Sequence, residues 1–107
     1  MDVIAEDLGF LTPSVLRLVK KTGYPGMKVL QFGFDPEGDS TYLPHHYPEN
    51  CIVYSGTHDN DTSIGCYKTM RRNEKAFAKQ YLNVTNAKQV NWAFIRTALA
   101  SNGNTAI

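Results

Sequence analysis

Three short stretches carry side chains able to do chemistry. Ser55–Asp61, SGTHDND, crowds a histidine and two aspartates behind the apolar run Cys51–Tyr54. Glu6 and Asp7 follow the apolar Val3–Ala5, and Asp35 follows the run Met27–Phe34. A glutamate placed at the end of an apolar strand and partly withdrawn from water can donate a proton and then take one back. Glu6 reads equally as a helix-start carboxylate or a surface charge. Asp7 faces away from it, because neighbours on an extended strand point to opposite sides. Asn60 and Asp61 are read as turn and helix-start residues, which leaves His58 and Asp59 as the functional pair. His45, His46, His58, Asp59 and Asp61 are all possible metal ligands. Their spacing matches no zinc pattern, and adjacent His45 and His46 in an extended loop would point apart, so no metal is expected. There is no G-x-G-x-x-G or P-loop signature, and no Ser or Cys nucleophile in a recognisable setting.

These residues need a scaffold that brings strand ends together. Asp2–Ala5, Met27–Phe34 and Cys51–Gly56 read as strands, the second as a near-continuous apolar run of the kind buried in parallel sheets. Thr12, Pro13, Gly23 and Pro25 punctuate a helix over Pro13–Thr22. The stretch 35–50 is a long loop whose aromatics could stack on a sugar or pack the loop down. Further helices are predicted over Thr62–Met70, Asn73–Leu82 and Ala87–Ser101, the last with Asn86 and Gln89 as a capping box. The closing NTAI resembles the start of another strand. Strands alternating with helices imply an α/β fold with parallel pairing. In such folds the C-terminal strand ends share one face, where Glu6, Asp35 and His58–Asp59 would meet.

Composition narrows the classes. Eleven basic and ten acidic residues leave a net charge of +1, so no nucleic acid or acidic membrane is implied as partner. Lys20–Lys21 and Arg71–Arg72 read as solvated helix faces. No stretch suits a membrane span, and the N-terminus lacks a basic leader. Cys51 and Cys66 match no C-x-x-C pattern and read as reduced thiols. A cytoplasmic protein is expected.

Four motifs then share one likeness. IAEDLGFLTPSV, GYPGMKVLQFGFD, YLPHHYP and SGTHDNDT resemble, in order and spacing, the 4-α-glucanotransferases called amylomaltase or disproportionating enzyme, family 77 of the glycoside hydrolases. The resemblance implies a retaining enzyme that moves α-1,4-glucan segments between maltooligosaccharides on a (β/α)8 barrel, without metal or cofactor. It makes Glu6 the acid/base and Asp59 the catalytic stabiliser of the distorted sugar. His58, Asp35 and Phe32 become sugar-binding residues. His46 and Cys66 stand where the family usually shows asparagine and tryptophan.

The family's nucleophilic aspartate has no counterpart here, and a closed barrel takes about 250 residues. Residues 1–107 are therefore expected to be one incomplete segment of the catalytic TIM-barrel domain, about three parallel strands with helices. Such a piece would be inactive alone and open to self-association through its sheet edges. The alternative is a stand-alone carbohydrate-binding or interaction module derived from such an enzyme.

Overall fold

The computed structural model describes every residue, Met1–Ile107. α1 spans Pro13–Thr22, the bounds its punctuation predicts. The Thr12 hydroxyl accepts the Val15 N–H, and Gly23 takes the left-handed φ of 70° that ends the helix. β1 (Gly26–Val29), β2 (Cys51–Tyr54) and β3 (Thr105–Ala106) form a parallel sheet with β2 in the centre. The tail is thus a strand, as NTAI suggested.

The first predicted strand does not form. Around Asp2–Ala5 only the Ala5 N–H reaches β1's lead, donating to the Pro25 carbonyl at 2.9 Å. Pro25 has no N–H to return the bond, and the next free donor, Met27 N–H, is taken at 2.8 Å by the Asp7 carboxylate. A side chain therefore satisfies the edge where a strand was expected. Met27–Phe34 also shortens: the strand stops at Val29 and Leu30–Gly33 coils into a 3-10 turn. The returning loop packs tightly on this turn, where a Cβ on Gly33 would lie 2.7 Å from the Tyr42 carbonyl oxygen.

The crossover from β1 to β2 contains no α-helix. It is held down instead by buried Leu43 and Tyr47, and the Tyr47 hydroxyl donates to the Tyr42 carbonyl at 2.7 Å. Of the two roles open to the loop aromatics, Tyr47 takes packing. The crossover from β2 to β3 carries α2 (Ser63–Thr69), α3 (Arg72–Leu82) and α4 (Val90–Leu99). α4 starts later than predicted because Ala87–Gln89 is a separate 3-10 turn capped by Asn86. Gln89 accepts from the Thr85 N–H, not from Asn86, so the predicted box is absent. Leu30, Phe34, Tyr67, Val90 and Phe94 anchor the main core between the helices and the end of β1. α1 buries no residue, and Trp92 of α4 is 68% exposed. No helix is long and apolar enough to cross a membrane.

Candidate active site

The turn that presents His58 and Asp59 is built by its neighbours. Beyond β2 the chain closes with Asn60 N–H donating to the Thr57 carbonyl at 3.1 Å. The Asn60 side-chain oxygen accepts both the Thr57 N–H (2.8 Å) and the Thr57 hydroxyl (2.9 Å). That hydroxyl in turn accepts the Asp59 N–H at 3.3 Å. Asp61 accepts the Thr62 N–H, and Thr62 caps α2. Asn60 and Asp61 thus have the supporting roles read from sequence. At the apex His58 Nε2 and Asp59 Oδ1 lie 3.3 Å apart, with side chains 90% and 81% exposed.

A strut joins this turn to the end of β1. Gln31 Nε2 donates to the Asp61 carbonyl at 2.7 Å, passing so close to Gly56 that a Cβ there would lie 2.6 Å from it. Sequence reading overlooked Gln31. Its signal was a lone amide within an apolar run, which has no meaning until the facing backbone is known. Next to it, Phe32 stands 45% exposed with Tyr42 edge-on behind it at 5.3 Å. Burial pushes the Tyr42 phenol up, and the negative charges of Asp7 and Glu6 add to the effect.

One cleft of about 730 Å³ is lined by Glu6, Phe32, Tyr54, Thr57, His58 and Asp59. Four of the five residues singled out from sequence meet there. Asp35 does not: it lines an adjoining cleft of about 400 Å³ that shares Phe32 and also contains Arg71 and Glu74. Its carboxylate accepts the Glu37 N–H at 3.1 Å, a local turn bond. Glu6 and Asp7 part as expected, Glu6 to the cleft and Asp7 to β1. Glu6 is exposed, however, where partial withdrawal from water was expected. No strand forms beneath it, and its Oε1 accepts only the Leu8 N–H at 3.0 Å.

Nowhere do three or more His, Cys, Asp or Glu side chains converge as metal ligands. His45 and His46 do not point apart; their rings tilt together at 4.0 Å because Pro44–His46 is a 3-10 turn and not extended chain. Cys51 and Cys66 are unpaired. Burial pushes both thiols up, away from the thiolate a nucleophile needs.

A sequence model of glycoside hydrolase family 77, described as 4-alpha-glucanotransferase, matches residues 1–107. The chain belongs to this family. Among family relatives, the 4-alpha-glucanotransferase of Clostridium butyricum is 45% identical over 108 residues, covering 100% of this chain and 22% of its own length. That of Thermus thermophilus is 44% identical, over 98% of this chain and 22% of its own. The chloroplastic/amyloplastic one of Arabidopsis thaliana is 46% identical, over 98% and 18%. The chain therefore spans about a fifth of the length of the curated relatives it matches. Among solved structures, the amylomaltase from Streptococcus agalactiae in complex with acarbose superposes with a TM-score of 0.92 at 39% identity. It covers 97% of this chain and 21% of that one. The three parallel strands and their helices are thus the α/β arrangement of part of a family 77 barrel.

Proposed function

We propose that this chain supplies the acid/base side of a 4-α-glucanotransferase that moves α-1,4-linked glucan segments between maltooligosaccharides with retention. The observation that carries the reading is the meeting of Glu6, Phe32, His58 and Asp59 in one cleft from three separate segments. In the first displacement, protonated Glu6 gives its proton to the glycosidic oxygen as that bond breaks, while a carboxylate nucleophile takes the anomeric carbon. In the second, ionised Glu6 takes the proton of the acceptor hydroxyl, whose oxygen attacks the same carbon and releases the nucleophile. The nucleophile comes from a strand outside these 107 residues, in keeping with the fifth of each relative that the chain covers.

Asp59 holds hydroxyls of the distorted ring and favours the oxocarbenium-like transition state, with His58 as its hydrogen-bonding partner. Phe32 offers its exposed ring to the sugar, and Asp35 reaches a further unit from the adjoining cleft. The acarbose complex of the Streptococcus agalactiae amylomaltase supports a glucan substrate. Cytoplasmic placement belongs to the same proposal, supported by the two unpaired thiols. So does self-association through the exposed sheet edge at β3, since Asp7 and Ala5 already occupy that of β1. The deciding experiment is Glu6→Gln in the full-length protein, with maltotriose as substrate and product lengths as readout. Disproportionation should fall by about 10²–10⁴-fold; near-normal turnover would overturn the assignment.

A further inference from the structure

A second cleft, of about 460 Å³, mixed apolar and polar in lining, opens at the N-terminal ends of the strands, on the face opposite Glu6 and Asp59. The turn before β2, the last residues of α3 and α4, and the lead into β3 form its walls. One wall is aromatic. The His45 and Tyr81 rings lie 30° from parallel with centroids 5.7 Å apart, tied by a 2.8 Å hydrogen bond between His45 Nδ1 and the Tyr81 hydroxyl. The surface is held in place, since His46 packs on His45 and bonds the Ser40 carbonyl through Nδ1 at 2.8 Å. Asn102 Nδ2 also donates to the His45 carbonyl at 3.3 Å.

Charge decides what such a cleft accepts. Arg96 reaches it without an ion-pair partner, the chain's pairs being His58–Asp59 and Arg71–Glu74. No Asp or Glu lines it. An unpaired guanidinium opposes a bound cation. Both α3 and α4 end here, and helix C-termini leave carbonyl oxygens with partial negative charge, which opposes phosphate and other strong anions. A neutral polyhydroxylated ring meets both conditions. Its oxygens accept from Arg96 and from the Asn83 carboxamide, its hydroxyls donate to the carbonyls, and its C–H face lies on the His45–Tyr81 wall.

The geometry points to a second, non-catalytic carbohydrate-docking site on this face, which holds glucosyl units of a long substrate chain away from the catalytic cleft. The volume falls within the usual range of ligand pockets, about 300–1,000 Å³. The identity of the sugar rests on the function proposed above. A glucan long enough to engage both faces gains from the higher effective concentration of its second contact, and a trisaccharide does not.

The test uses the full-length protein with Arg96→Gln and, separately, Asn83→Gly, which keeps the left-handed backbone at φ 53°. Retention in amylose-containing gels should weaken by about 3–10-fold in each, the loss of a hydrogen bond or two, while maltotriose disproportionation stays within about twofold. Unaltered amylose retention in both variants would overturn the proposal. So would an Arg96-dependent rise in thermal midpoint given by inorganic phosphate and not by maltoheptaose, which would mark an anion site. If the unsubstituted protein failed to turn over maltotriose while both variants still lost amylose retention, the docking site would stand and the proposed transferase activity would fall.

Discussion

Replacing Asn60, whose side-chain oxygen is engaged by Thr57, with alanine tests how the turn that carries His58 and Asp59 is held. One oxygen of Asn60 accepts two hydrogen bonds, from the Thr57 N–H at 2.8 Å and the Thr57 hydroxyl at 2.9 Å. The same hydroxyl accepts the Asp59 N–H at 3.3 Å, so the asparagine acts on Asp59 through Thr57. Thr57 is only partly buried, and water can replace some of what is lost. The cost to stability is therefore about 1–2 kcal/mol, at the lower end for unmade bonds. Catalysis should suffer more. An Asp59 carboxylate displaced by about 1 Å costs on the order of 10²-fold in kcat, equivalent to about 2.7 kcal/mol of barrier. The assay is maltotriose disproportionation by the full-length protein, with the thermal midpoint measured alongside. Asn60→Asp, which keeps the acceptor oxygen, should retain most of the midpoint. An Asn60→Ala protein with unchanged kcat and midpoint would refute the relay through Thr57.

Gly33→Ala should destabilise by about 1–3 kcal/mol, because its Cβ would meet backbone atoms of Tyr42 at 2.7 and 3.0 Å. Denaturant unfolding reads this directly, and an unshifted midpoint would show that the loop can yield. Tyr47 contributes to alkaline behaviour. Burial pushes its phenol up, with nearby Cys51 adding to the effect, so the folded chain keeps the proton where an unfolded tyrosine ionises, at about pH 10. Its contribution is full below that pH and is lost as pH rises beyond it. Tyr47→Phe should cost about 1 kcal/mol at neutral pH through the lost bond to Tyr42. It should also flatten the fall of the thermal midpoint between about pH 9 and 11; equal slopes would contradict the assignment.

Local signals in the chain determined much of this protein. Thr12, Pro13 and Gly23 act within a turn of their own positions, so α1 was legible to the residue. The apolar run Cys51–Tyr54 and the turn residues behind it marked β2 and the turn that carries His58 and Asp59. The closing NTAI showed β3 because Thr105 and Ala106 need only one neighbour, β2, to pair with. The motifs also named four residues of one cleft, since strand ends of a parallel sheet share a face.

What tertiary structure alone decided concerns partners distant along the chain. Val3–Ala5 looks like a strand, yet Pro25 cannot return a bond and Asp7 occupies the edge donor of Met27. The run from Met27 is largely apolar to Phe34, yet the chain leaves the strand after Val29 and coils over Leu30–Gly33, where the Tyr42 backbone lies against Gly33. Asp35 sits within the motif but lines the cleft on the other side of Phe32, where its carboxylate accepts the Glu37 N–H. The Gln31 strut is set by the carbonyl of Asp61, thirty positions away. A propensity or a cap is settled within a few residues of chain, whereas an edge, a cleft wall or a strut exists only once a distant segment has arrived to complete it.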